Sequence, residues 1–344
     1  MTMRKFLGVM LAAGFAPTLA SAETLGDALA SAYQTNPTLD AARQQARQAD
    51  EGFAQARAGF LPQVGVSGSY GTSLRITETE TPIGTLRTKS TTEPQNASVS
   101  ASQSLFEGGR RLAQVGFANA QIRGAQEGLR STEQSVLLLV VAAYVGLRRD
   151  EEVVRIRENN VKLLERQQQA ARDRFEVGEI TRTDVAQSDA RLAGAIAGLA
   201  GARADLAASR AEYERIVGHV ADGLESPPEV KELPASLDDA IAVALELNPD
   251  LRRFKENEAA ARQQVRIERA DLLPQISVIG RMARDIEPGA PNSNQESQTA
   301  VAQITIPLFE GGFARSRTRA AKIGVLRARS QTEEVRRSVV SQAT

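Results

Sequence analysis

Thr24-Leu25-Gly26-Asp27-Ala28-Leu29, Asn36-Pro37, Leu61-Pro62-Gln63 and Leu105-Phe106-Glu107-Gly108-Gly109 are repeated, in order, by a second series of marks. These are Ser236-Leu237-Asp238-Asp239-Ala240-Ile241, Asn248-Pro249, Leu273-Pro274-Gln275 and Leu308-Phe309-Glu310-Gly311-Gly312. The first three recur after 212 residues and the last after 203, so the register changes once, between Leu-Pro-Gln and Leu-Phe-Glu-Gly-Gly. A shortening confined to one stretch is how a variable surface loop behaves inside a duplicated fold. The expected organisation is a first structural repeat over 23–226, a linker over 227–235 and a second, incomplete repeat over 236–344.

Each Leu-Pro-Gln opens a stretch of period-two alternation. Val64, Val66, Gly68, Tyr70, Thr72, Leu74 and Ile76 alternate with Gln63, Gly65, Ser67, Ser69, Gly71 and Ser73, the signature of a strand with one apolar and one wet face. The second copy keeps the phase with Ile276, Val278, Gly280 and Met282, broken by Ile279 and Arg284. The returning strands place Ala97, Val99, Ala101 and Leu105, and later Ala300, Ala302, Ile304, Ile306 and Leu308, on the apolar side. Small polar groups on one face and modest apolar groups on the other match outer-membrane barrel strands. Val64, Val66, Tyr70, Val99, Ile276, Val278, Ile304 and Ile306 are therefore the expected lipid-facing residues. Thr77 to Pro94 and about 287–297 read as external loops. Four strands cannot close a barrel, and an open edge in lipid leaves backbone groups unpaired, so such a chain has to oligomerise.

The helices are too long for a globule. From Gly109 to about Val177 there is no proline, and a helix of that length spans roughly 100 Å. Its distal half carries apolar series at Ile156, Leu163, Ala170 and Val177 and at Val154, Val161 and Phe175. The following stretch repeats every seven residues at Val185, Leu192, Leu199, Leu206 and Tyr213, which implies an antiparallel coiled-coil hairpin. Gly178 suits the end of the first helix, and Thr181 or Thr183 the cap of the second. Thr24 with Asp27 and Ser236 with Asp239 have capping-box spacing, and each Asn-Pro places a cap before a first-turn proline.

Residues 1–22 read as a signal peptide: Arg4-Lys5, an apolar run too short to span a membrane, then Ala20-Ser21-Ala22. Without them the charge is 40 basic against 42 acidic residues, a net of −2, which gives no support for a nucleic-acid partner. The chain has no cysteine, so no thiolate metal site or disulfide. Aromatics are only 4% and tryptophan is absent, a profile of long helices packed along narrow seams rather than around a bulky core. His219, the one histidine, lies in a Gly-rich linker without a nucleophile at triad spacing, and no cluster of metal ligands or phosphate-cradling loop is visible. An enzyme, a metal site and a cofactor are not expected.

These residues resemble the TolC-like outer-membrane channel proteins of efflux pumps and type I secretion, over all of Glu23 to Thr344. The resemblance rests on the duplicated marks and on Val177-Gly178-Glu179-Ile180-Thr181-Arg182-Thr183-Asp184-Val185. It implies an α+β membrane protein of duplicated design, a homotrimer in which each protomer gives four amphipathic strands to a twelve-stranded barrel and its long helices to a periplasmic tunnel. It further implies passive conduction across the outer membrane, with an inner-membrane transporter and a periplasmic adaptor as partners. The adaptor would dock at Val177, Gly178 and Glu179, and Thr183 and Asp184 would belong to the entrance gate. Thr183-Asp184 reads equally as a helix cap pair. The chain ends at the counterpart of Val141, so the partner of the 142–226 segment is expected to be missing, as in a fragment or a shortened variant. The competing reading is a periplasmic coiled-coil adaptor without a barrel, which the hairpin alone would fit and the duplicated amphipathic strands do not.

Overall fold

A computed structural model of the chain describes residues 22–229, 233–286 and 294–344. Most of the expected signal peptide, part of the linker and much of the second external loop lie outside these residues. The chain forms two compact units, one from the described residues of Met1–Leu39 and Glu133–Lys231, the other from those of Asp40–Thr132 and Glu232–Thr344.

The elements follow the duplication. Helices α1 (Leu25–Thr35) and α2 (Pro37–Ala58) lead into strands β1 (Gln63–Tyr70), β2 (Ser73–Thr81), β3 (Gly84–Thr92) and β4 (Gln95–Glu107). Helices α3 (Arg110–Glu176) and α4 (Arg182–Val217) follow, then α5 (Leu237–Leu247), α6 (Pro249–Ala270), β5 (Gln275–Ile286), β6 (Asn294–Thr305) and α7 (Phe313–Ala343). The duplicated signals do the same local work in both copies. Thr24 and Ser236 each accept the backbone N–H of an aspartate three residues on, Asp27 and Asp239, at 3.2 Å. Both α2 and α6 give way to a turn in which Phe60 and Leu272 donate to the carbonyls of Arg57 and Arg269. Leu-Pro then forces extended backbone.

In the second unit β1, β4, β5 and β6 form one antiparallel sheet in that order. The repeats pair in the same register: Gln63 opposes Ser102 in the first, and Gln275 opposes Thr305 in the second, which are the same positions after the two offsets. Three expectations are corrected here. Thr77 to Pro94 is not loop, because β2 and β3 pair from Ser73 opposite Thr92 to Thr81 opposite Gly84 as a separate ribbon. The main strand ends at Tyr70 rather than running on to Ile76; Pro94 faces that break and has no N–H for the ladder. Leu105 does not continue the apolar face either: a bulge between Ser104 and Phe106 puts Phe106, not Leu105, opposite Ile276. Beside the sheet, the first turns of α3 pack antiparallel to α6 through small residues. Arg123 meets Glu256 at 2.8 Å, Arg110 pairs with Asp271, and Ala113, Ala118, Ala120 and Ala260 are buried.

In the first unit the rest of α3 and α4 form the expected antiparallel hairpin, laced by Ser209 to Asp150 at 2.5 Å, Arg203 to Glu158 at 2.8 Å and Gln168 to Asp189 at 2.6 Å. The α4 heptad faces inward, with Leu199, Leu206 and Tyr213 buried. On α3 the seam takes Val154 and Val161 of one series, whose last member Phe175 stays 43% exposed near the tip. Val161 is buried, whereas Ile156 and Leu163 remain 54% and 49% exposed, because a two-helix contact covers a single heptad stripe and this one lies outside it. The cap of α4 is Thr181, not Thr183, and it forms a full capping box with Asp184.

The apolar core of this unit gathers Ala28 and Ala32 of α1, Val140, Tyr144 and Leu147 of α3 and Leu206, Tyr213, Ile216 and Val217 of α4.

Candidate functional site

The sheet has two chemically distinct faces. Its strand pairings align Val66, Val99, Met282 and Gln298 in one row, and Val64, Ala101, Gly280 and Ala300 in the next. Below them come Gln103, Val278 and Ala302, then Phe106, Ile276 and Ile304. Rows on one face lie about 7 Å apart along the strands, so these four cover roughly 20 Å, close to the ~25 Å apolar band of an outer-membrane barrel. The side chains are open in the single chain, Val66 at 81% and Val64 at 70%. Arg284, irregular in the alternation, falls in the next row outward opposite Ala97 and Glu296, and pairs with Glu296 at 3.8 Å. It marks where the apolar band ends.

The opposite face is hydrophilic. Ser67 and Ser98 share a hydrogen bond of 2.9 Å, Arg281 reaches Ser98 at 3.4 Å, and Asn96 donates to Asp285 at 2.5 Å. Ile279, the other irregularity, sits on this side opposite Val301, so the two form an apolar cross-strand pair within a polar wall. Such a sheet can separate lipid from water. Tyr70 lies on the apolar side at its outer end and hydrogen-bonds Glu93 at 3.2 Å, while Ile306 falls just past the end of β6.

The expected docking tip is the turn between α3 and α4. Val177 is 72% exposed, and Gly178 has a φ of 80°, which lets the chain reverse while Gly178 and Glu179 donate to the carbonyls of Phe175 and Arg174 at 2.9 Å. Thr183 and Asp184 are exposed on the first turn of α4. The Asp184 carboxylate accepts from the Thr181 hydroxyl at 2.7 Å and backbone N–H at 2.9 Å, bonds that hold its pKa below the usual aspartate value. A carboxylate kept charged by its own cap is available at the mouth of the hairpin.

A third constellation was not legible in the sequence. The Glu23 backbone donates to Gly223 at 2.8 Å, and its carboxylate accepts from the Tyr213 hydroxyl at 2.7 Å and lies 3.0 Å from His219 Nε2. His219 is thus not merely solvated, since Nδ1 also lies 3.2 Å from the Ser31 hydroxyl. Burial, first, and the Glu23 bond push the Tyr213 phenol pKa well up, so it remains a donor. These residues tie the start of α1 to the end of α4 at separations of about 190 residues, which no local pattern encodes.

The comparisons with known proteins agree with this geometry. The outer membrane efflux protein BepC of Brucella suis biovar 1 is 33% identical over 321 residues, covering 93% of this chain and 68% of that protein. The alkaline protease secretion protein AprF of Pseudomonas aeruginosa is 27% identical, covering 93% and 69%. In fold, the CmeC outer membrane channel of Campylobacter jejuni superposes with a TM-score of 0.75 at 16% identity over 93% of this chain and 70% of that one. The model of the outer membrane efflux protein family matches residues 28–219 and 240–343, taking in both helical sets and all strands of the two-faced sheet. The chain belongs to the outer membrane efflux protein family.

Proposed function

We propose that this chain assembles as a homotrimer into a passive conduit across the outer membrane, serving a tripartite efflux pump or a type I secretion system. Its relatives include an outer membrane efflux protein and an alkaline protease secretion protein, and the family places the chain in the outer membrane. The observation that carries the reading is the four-stranded sheet with one apolar face of membrane height and a hydrophilic reverse. An apolar face exposed to this extent needs a non-aqueous neighbour, and an open sheet in lipid needs closure by further strands. In this reading Val64, Val66, Tyr70, Val99, Ile276, Val278, Ile304 and Ile306 face lipid, and the serine-rich face lines the pore.

Val177, Gly178 and Glu179 would meet a periplasmic adaptor, which couples the channel to an inner-membrane transporter. Thr183 and Asp184 would sit at the periplasmic entrance, where a ring of carboxylates favours cations. Membrane fractionation tests the whole reading: the protein should stay with outer membranes after a carbonate wash and run as an oligomer that dissociates on heating. Recovery as a soluble periplasmic monomer would refute it.

A further inference from the structure

The hydrophilic face of the sheet is lined mainly by hydroxyls and amides, and charge on it is sparse. Of its strand residues only Glu107, Arg281 and Asp285 are ionisable. Glu107 is already neutralised: it stands opposite Gln275 at the inner end, its side chain 16% exposed, and accepts from Arg111 at 2.7 Å. Asp285 lies at the outer end, opposite Gln295, where Asn96 donates to it at 2.5 Å. Arg281 differs from both. It sits midway along β5, in a row with Gly65, Ser100 and Thr299, and is exposed. Among the described residues its guanidinium reaches only the Ser98 hydroxyl, at 3.4 Å.

Neither the fold nor a neighbour accounts for this charge. Arg284, three residues on and on the other face, has Glu296 at 3.8 Å, whereas Arg281 has no carboxylate beside it among the described residues. Its counterpart in β1, after the offset of 212 residues, is Ser69. A serine at that place serves the first strand pair, so pairing does not require a cation there.

We infer that Arg281 sets the charge preference of the barrel lumen, favouring anionic groups on the molecules that pass. Resting on the channel reading, in which this face lines the pore, Arg281 supplies one cation per copy and hence a belt of them in a homotrimer. Rings of Arg or Lys select anions, and a low-dielectric wall focuses their field into the water that they enclose. Asp285 stands four residues outward, about 13 Å along the strand, where the lumen opens and the field of a charge spreads into bulk water. With Glu107 paired, Arg281 is the unbalanced charge of the middle of the barrel. Its sign is opposite to that of Asp184 at the proposed entrance, so the two preferences can be separated by mutation.

In planar lipid bilayers under a gradient of dilute potassium chloride, the zero-current potential of the inserted oligomer gives its anion-to-cation permeability ratio. Arg281→Gln should lower the ratio and Arg281→Glu should lower it further. Arg281→Lys should keep it, and so should Arg284→Gln, the same loss of charge on the lipid face. Ser100→Arg adds a cation to the same row and spares Arg281; it should raise the ratio, and it carries the test if the Arg281 variants do not assemble. These differences should shrink in salt of about 1 M, where the Debye length is only ~3 Å. Conducting oligomers whose ratio does not respond to Arg281→Glu or to Ser100→Arg overturn the role of Arg281 and leave the channel reading standing. A soluble monomer, or an inserted oligomer that passes no current, overturns both.

Discussion

The Tyr144 hydroxyl lies 2.6 Å from the backbone carbonyl of Glu225, and 2.9 Å from that of Glu23. One fully buried side chain on α3 thereby holds two strand-like segments that meet at the Glu23–Leu224 bridge. The phenol is kept protonated, its pKa raised chiefly by burial. Tyr144→Phe keeps the packing and removes both hydrogen bonds of the hydroxyl, a loss of about 0.5–1.5 kcal/mol for each, while the Glu23 carbonyl still accepts the Glu225 N–H at 3.0 Å. The expected result is faster proteolysis around 219–229 with membrane insertion unchanged; an unaltered cleavage rate would show that the hydroxyl is dispensable.

The two sheet faces should tolerate charge differently. Val66→Arg puts a cation into the outermost apolar row, one row inside Arg284, where the cost lies below the ~2–4 kcal/mol of the mid-membrane level of a barrel. Ser67→Arg, one residue on, projects into the hydrophilic face. The first should abolish the heat-dissociable oligomer in outer membranes and the second should keep it. The reverse outcome would mean that the faces are assigned the wrong way round.

Gly178→Arg adds bulk at the hairpin tip and strains a backbone at φ 80°, by roughly 1–2 kcal/mol. No strand is touched. Insertion and oligomer formation should persist while cross-linking to the adaptor and export both fall; normal adaptor cross-linking would remove the tip from the docking surface.

Acid should loosen the start of α4. The Thr181 bonds lower the Asp184 pKa below 3.8, so the cap's stabilisation is complete above that unfolded-state value and is lost as pH falls through the lower folded value. Amide-exchange protection over 182–186, corrected for intrinsic rates, should therefore drop only below pH 3.8. Thr181→Ala should lower protection at neutral pH and flatten this dependence. A pH-independent protection in the unaltered chain would exclude the carboxylate as the cap's partner.

Much of the fold was written in short-range pattern. Phase-locked alternation at Val64, Val66 and Tyr70 and again at Ile276 and Val278 placed both strand pairs and their faces, because side-chain direction in a strand is a local property. The cap at Thr24 and the Asn-Pro starts were equally readable. Less readable were the features settled by a neighbour. Leu105 leaves the apolar face because β5 imposes a bulge, and the 73–92 stretch forms a ribbon because its two halves find each other. Ile156 and Leu163 carry the same heptad spacing as Val161, and only the direction from which α4 approaches separates the buried stripe from the exposed one.

By itself, then, the amino-acid sequence determined the duplication, the long helices and the amphipathic strands, since periodicity and capping act within a few residues. The tertiary structure decided which stripe is covered, the strand order β1-β4-β5-β6 and the Glu23, Tyr144, Tyr213 and His219 knot. These contacts join residues up to 196 apart, and their energy depends on geometry that exists only once the chain has closed those loops.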